Sequence, residues 1–372
     1  MKIKQIETYP LLYKLQMPYG DANGYKGYRA SYMFKIITDS GLEGWGEVVD
    51  WLPTLDLGFK QRIIPFLTGK NVLKQQEIVT VIKKWDQRIA AGVSMALTEI
   101  VAKMANISVC DLWGGSLRTT VPVYASFQSY RDQSEWIESS LRQIEETLDQ
   151  GFSKIKLKIG GRNEKEDQNH IQKVTELLEG KIGLALDANQ SYDFATSRKW
   201  IKRLEEYKNP LWFEEPMPLD QIENYKRLRS FSTVPVAGGE NLKSSVKFTS
   251  FLTQQALDII QPDVMHMEGL NDFRHTVQLA RTFGVRISPH AFDGALSRLY
   301  AIFSQACSPA WSKMEGEEIE PVEWDVMESP FNQVIALKVE NGTVQVPNGV
   351  GIGLEVDEEK LKTWLWDGEV YY

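Results

Sequence analysis

An α+β domain followed by a closed α/β barrel is the fold the sequence predicts, on three observations. From about Val121, short apolar strands alternate with amphipathic helices, and at least seven such units fit into about 200 residues. Strands spaced by helices of that length mean βα units and a parallel sheet. So many successive units favour a barrel over an open doubly wound sheet. In front of them, residues 1–120 read as strands and then helices, an α+β pattern. Behind them, residues 326–372 lose the rhythm. The expected units are therefore 1–120, 121–325 and a returning tail, 326–372.

The first unit opens with strand-like Lys2–Thr8 and Tyr32–Thr38 around Met17–Arg29, which reads as a loop because it is rich in Gly, Tyr and Pro. FKIITDSGLEGWGEV is a strand pair turning at Asp39-Ser40-Gly41. Ala90–Asn106 carries helix formers with apolar residues at helical spacing. The βα units then run VPVYASF with helix 136–150, FSKIKLKIG with 166–179, and IGLALDA with 195–207. WFEEP, VPVAGGE, LDIIQPD and VRISPH follow, each with its helix. In the tail, VIALKVENGTVQVP is a hairpin at Asn341-Gly342, expected to leave the barrel and pack on the first unit.

Composition narrows the class of partner. Lys+Arg 42 against Asp+Glu 50 leaves a net charge of -8, which argues against a general nucleic-acid or membrane-surface partner. No apolar run approaches the ~18 residues of a membrane span. The start, MKIKQIETYP, reads as a strand and not as a secretion signal. Cys110 and Cys307 lie far apart in sequence and match neither a metal spacing nor a disulfide framework. A cytoplasmic protein is expected, acting as a homo-oligomer on a small carboxylate, with no nucleic acid and no membrane.

In a βα barrel the site lies at the C-terminal ends of the strands. The last polar residues of successive strands are Lys158, Asp187, Glu214, Glu240, Asp263 and His290, separated by 29, 27, 26, 23 and 27 residues. Each step is one unit, so all six face one rim. Asp187, Glu214 and Glu240 converge as three carboxylates, which repel unless a cation neutralises them. All-oxygen ligation favours Mg²⁺, with Mn²⁺ as the second choice. The competing reading is that these acids pair with nearby lysines.

Lys156 and Lys158 point to the same face of their strand, where mutual repulsion would lower both pKa values. A solvated strand carrying Lys154 as well is the bland alternative. Asp263, one unit before His290, would fix that ring's tautomer and raise its basicity. His170 and His275 fall on helices and read as solvated, whereas His266 could line the site.

Together these fragments, with the closing VPNGVGIG, resemble the enolase superfamily, and within it the mandelate racemase-like (mandelate racemase/muconate lactonizing enzyme) group. The resemblance runs along the whole chain. It implies a modified (β/α)₇β TIM barrel with an N-terminal α+β capping domain and a tail returning to the cap. It also implies Mg²⁺ on Asp187, Glu214 and Glu240, Lys158 as the base on one face with Lys156 beside it, and His290–Asp263 on the other. Asn189 matches a polar residue beside the first ligand, and Glu323 in PVEWDVM a hydrogen-bonding partner of the substrate carboxylate. Muconate-cycloisomerase-like members carry a lysine where this chain has His266, which counts against their chemistry.

The implied reaction removes the proton α to a carboxylate and passes through an enediolate. Met17–Arg29 and Val48–Asp56 are the expected lids. Tyr19, Asp21, Asn23, Lys26 and Arg29 suit a polyhydroxylated chain, and so point to dehydration of an aldonate or aldarate to a 2-keto-3-deoxy acid. Trp51, Leu52 and Tyr19 leave an aromatic substrate open, and with it a racemase or epimerase. Together with Asn189, which the resemblance implies, Tyr19 and Trp51 are the expected substrate contacts. An inactive barrel serving as a binding protein is the reading from another class.

Overall fold

The computed structural model describes residues 1–371. β1 (Ile3–Asp21) and β2 (Gly24–Thr38) form one long antiparallel hairpin, and β3 (Glu43–Val48) pairs with β2. The loop expected over Met17–Arg29 is therefore corrected. Its residues prolong both strands to a tight turn, where a Cβ on Gly20 would meet the Gly24 carbonyl oxygen at 2.4 Å. Gly and Pro mimic a loop in the sequence, but here glycine serves close backbone approach within a ladder. Helix Gln87–Met104 packs on β3, with the Asp86 carboxylate accepting from Ile89 N at 3.0 Å as its N-cap. Contact is so close that a Cβ on Gly44 would lie 2.1 Å from the Ala96 carbonyl oxygen.

β4 (Thr120–Ser126) starts the barrel and is followed by the short β5 (Tyr130–Arg131). β6 (Lys154–Lys158), β7 (Gly183–Asp187), β8 (Pro210–Glu214), β9 (Val236–Gly238), β10 (Ile259–Ile260) and β11 (Arg286–Ile287) continue in parallel order from β4. β12 (Val322–Asp325) pairs in parallel with β4. Between β11 and β12, Glu323 N donates to Pro289 O at 3.3 Å, and Gln305 Nε2 bridges Ile287 O and Glu320 O. The barrel is thus closed. Helices Trp136–Leu148, Glu164–Leu178, Phe194–Glu205, Ile222–Phe231, Ser245–Thr253, Leu270–Thr282 and Ala295–Cys307 separate its strands, giving (β/α)₇β. Tyr124, Ala185, Trp212, Ala237 and Ile259 form an apolar layer of their own inside the barrel, contributed by β4 and by the successive strands β7 to β10.

The cap hairpin reaches the barrel through β5, with Tyr19 opposite Arg131 and Gly20 opposite Tyr130. The tail differs in part from expectation. Its hairpin, β13 (Val339–Glu340) and β14 (Thr343–Gln345), stays on the barrel by pairing β14 antiparallel with β4. Residues on either side of the hairpin reach the cap: Glu328 accepts from the Tyr13 hydroxyl, Leu365 bridges Leu11, and Glu358 meets the Lys35 ammonium at 2.8 Å. β14 takes Thr120–Pro122, the start of β4, which lies ahead of the residues that pair with β6 and β12. Among the described residues no helix is long and apolar enough to cross a membrane.

One buried carboxyl ties cap to barrel. Glu47, on β3, accepts from Ser31 Oγ and from Leu296 N, both at 2.8 Å, at the start of helix Ala295–Cys307. Glu47→Ala should lower stability by about 1–3 kcal/mol, since both donors lose their acceptor in a buried place. Glu47→Gln, which keeps an acceptor, should cost less. Urea unfolding of the three proteins measures the difference.

Candidate active site

The predicted rim residues do converge. Lys158 Nζ lies 2.5 Å from Asp187 Oδ2, and Lys156 Nζ lies 2.5 Å from Glu214 Oε1, 2.9 Å from Glu323 Oε1 and 3.4 Å from Asp187 Oδ2. His290 Nδ1 meets Asp263 Oδ2 at 2.5 Å, and its Nε2 lies 3.2 Å from Glu240 and 3.3 Å from Glu323. Since an ionised carboxylate only accepts, Nδ1 carries a proton and Nε2 faces the remaining acids. The strands place all of this. β6 puts both lysines on its inner face, while Asp263 and His290 sit side by side just past β10 and β11, joined by a β-bridge.

Electrostatics correct the expected behaviour of the lysines. Burial works to lower both pKa values, yet Asp187 holds Lys158 above its usual value, and Glu214, Glu323 and Asp187 hold Lys156 well above. The carboxylates outweigh the lysine–lysine repulsion. Burial likewise opposes charge on His290, but Glu323, Glu240 and Asp263 push its pKa up to about 10. Glu214 is pushed up to about 8, by burial first and then by Asp187, despite the Lys156 ammonium. Further bonds hold it in place. Trp212 Nε1 and Gln261 Nε2 both donate to its Oε2, at 2.8 and 2.6 Å.

Those facts fit a cation. Ligand oxygens of Asp187, Glu214 and Glu240 lie within 4.8 Å of one another. The centre gathers five carboxylates (Asp187, Glu214, Glu240, Asp263 and Glu323) against two lysines and one histidine. Glu240 Oε2 is buried and makes no hydrogen bond among the described residues, its one charged neighbour being His290 Nε2 at 3.2 Å. An excess of buried carboxylates over cations, with one glutamate driven toward its neutral form, is the arrangement that an added positive charge relieves.

Above the rim lies a cavity of about 560 Å³. Lys158, Asn189, Glu240, Asp263 and His290 border it from the barrel, and β2 and the loop after β3 border it from the cap. Trp51 lines it and is 44% exposed. Tyr19 does not line it. That side chain is 1% exposed, and its hydroxyl accepts from Arg29, which itself ion-pairs with Asp325 and Asp293. Period-2 alternation turns Tyr19 inward once the segment is a strand. Lys26 also reaches Asp293, at 3.3 Å, and so moors the hairpin over the mouth.

His266 lines the cavity as well, its Nδ1 held 2.7 Å from Glu240 O and its ring stacked on His290. His170, expected in solvent, is instead buried against Trp136 and bonded to Ser140 Oγ at 2.9 Å. It occupies an inward position on its helix that the one-residue reading overlooked. Sequence reasoning also missed Gln128, Gln261 and Trp212. Trp212 and Gln261 precede Glu214 and Asp263 by two, so same-face alternation on the strand could have found them.

The chain belongs to the family described as Enolase C-terminal domain-like, whose model matches residues 139–360, and so to the enolase superfamily. It is 30% identical to D-galactarolactone cycloisomerase of Agrobacterium fabrum, over 97% of this chain and 98% of that protein. Arabinonate dehydratase of Saccharolobus solfataricus is 26% identical over 95% of this chain and 96% of its own length. The crystal structure of the 3,6-anhydro-D-galactonate cycloisomerase from Zobellia galactanivorans superposes with a TM-score of 0.85 at 26% identity, covering 99% of this chain and 100% of that one. The protein is an enzyme of the lyase or isomerase class. His266 therefore does not separate it from every relative named a cycloisomerase.

The shifted groups predict a stability profile for protein stripped of divalent ions. A raised histidine pKa contributes stability that is complete below 6.5 and is lost as pH rises through about 10. Glu214, also raised, loses its share as pH climbs from 4.5 through about 8. Between pH 6.5 and 8 both losses run together, so the melting temperature of EDTA-treated protein should fall there. Added Mg²⁺ should restore more at pH 8 than at pH 6.5, and His290→Gln should flatten the decline. Calorimetric scans across that range check it.

Proposed function

We propose that the enzyme removes the proton α to the carboxylate of a sugar acid and expels the β-hydroxyl, giving a 2-keto-3-deoxy acid. One observation carries the reading. Lys158 and the His290–Asp263 pair, from separate strands, border the same polar cavity beside the carboxylate triad. Asp187, Glu214 and Glu240 would hold Mg²⁺, or Mn²⁺, which when bound supplies positive charge against the substrate carboxylate and the negative charge that develops on it.

Lys158 accepts the α-proton on Nζ in its neutral form, which a cation held by Asp187 would favour by engaging the carboxylate charge that otherwise keeps this lysine protonated. The C–H electron pair moves into the carbon–carbon bond, charge passes to the carboxylate oxygens, and Lys156 beside Glu323 places a donor there. His290 then gives its Nε2 proton to the departing β-oxygen. An imidazolium whose pKa lies near 10 is loaded for that role at neutral pH, and Asp263 keeps the other nitrogen occupied. Water leaves, and the enol collapses to the ketone. The polar cavity lining supports a polyhydroxylated chain over an aromatic one, and the relative named arabinonate dehydratase agrees with that class.

A second reading differs only in the leaving oxygen. Two of the similar proteins are named cycloisomerases of a lactone and of an anhydro sugar acid. The same bases would then cleave a β-oxygen tied into a ring.

Lys158→Ala and His290→Ala should keep their fold while losing roughly 10²–10⁴-fold in turnover, the usual contribution of a positioned proton-transfer group. Assays in D₂O with open-chain and cyclic sugar acids, following C2 deuterium and keto acid, separate the readings. Keto acid from open-chain acids supports dehydration, and keto acid from cyclic acids alone supports ring opening. Deuterium at C2 with inverted configuration and no keto acid means an epimerase.

A further inference from the structure

We infer that Gln128 is a specificity-determining residue that binds a substrate hydroxyl beside Lys158, across from Asn189, whose substrate contact the resemblance already implies. The inference rests on the sugar-acid reading above and narrows it. Gln128 follows β4, is 4% exposed, and borders the cavity. Its Oε1 is buried with no hydrogen-bond partner among the described residues, and so is Asn189 Oδ1. Buried acceptors without donors are rare, and each calls for a ligand or an ordered water. Both carbonyl oxygens belong to amides that stay neutral at any working pH, so what they lack is a hydrogen-bond donor and not a counter-charge.

The backbone around Gln128 is built to hold it there. Phe127 N donates to Lys156 O at 3.1 Å, and Ser129 Oγ accepts from Lys158 N at 2.8 Å, so the residues on both sides are fastened to β6. Gln128 N itself meets Met327 Sδ at 3.3 Å. Asn189 is fixed by its own N–H, which donates to Asp187 Oδ1 at 2.9 Å, in a left-handed backbone conformation (φ 41). β4, β6 and β7 are neighbours in the barrel, so the two amides flank Lys158. A substrate carbon presented to Lys158 therefore meets one amide on either side. The pair suits a chain with hydroxyl groups on both sides of the acidic carbon and leaves an aromatic or alkyl carboxylate with two unpaired acceptors. Discrimination arises because leaving such a group unpaired costs free energy.

The test compares a sugar acid that the wild-type enzyme turns over with its monodeoxy analogues, in the wild type, Gln128→Leu and Gln128→Asn. The wild type should lose roughly 10–100-fold in kcat/KM on one deoxy analogue. Gln128→Leu should lose a similar factor on the parent acid and nothing further on that analogue. Gln128→Asn covers the case in which leucine fails to fold, and should weaken the discrimination with native near-UV circular dichroism. Unchanged discrimination in a folded variant that still turns over the parent acid overturns the inference alone. If the wild type exchanges the α-proton only of carboxylates without hydroxyl groups, the sugar-acid reading fails together with it.

Discussion

Lys156 is the interaction on which the centre of the barrel depends. A fully buried ammonium touches carboxylates from β7, β8 and β12 at once. Removing any of these charges from water is expensive, and one pair seldom returns that cost. Here three acids share one ammonium, and Trp212 and Gln261 satisfy the far oxygen of Glu214. Strands from different parts of the chain are thereby pinned at one depth. The remaining negative charge faces upward, where Lys158 and His290 meet it.

The cap supplies a different constraint. Its hairpin is anchored by Arg29, buried between Tyr19, Asp325 and Asp293, and by Lys26 on Asp293. Asp293 lies three residues past His290, so the cap hairpin is fastened to the loop that carries His290. On the cap's other side Glu47 receives the first turn of helix Ala295–Cys307. Closure of the mouth and placement of His290 thus share one segment.

Much of the barrel and of the rim was readable because both rest on local periodicity. The βα repeat sets each strand end one unit from the next, and Asp187, Glu214, Glu240, Asp263 and His290 are strand-end residues. Met17–Arg29 was misread because its glycines serve a ladder with tight backbone contact, which only the partner strand reveals. His170 was misplaced for a related reason. A polar residue on a helix reads as solvated until the neighbouring helix supplies Ser140 and Trp136.

By itself, then, the sequence determined the order of strands and helices, the closure into a barrel with a cap, and the rim set, since all of these follow from spacing along the chain. What only the tertiary structure decided was which charges touch. The inward turn of Tyr19, the seating of β14 on the edge of β4, and the free amide of Gln128 beside Lys158 all depend on partners far away in sequence. The lysine pKa values depend on them too. Repulsion between Lys156 and Lys158 is visible in a KxK motif, but the acids that override it come from other strands, and Coulomb energy follows distance in space rather than separation along the chain.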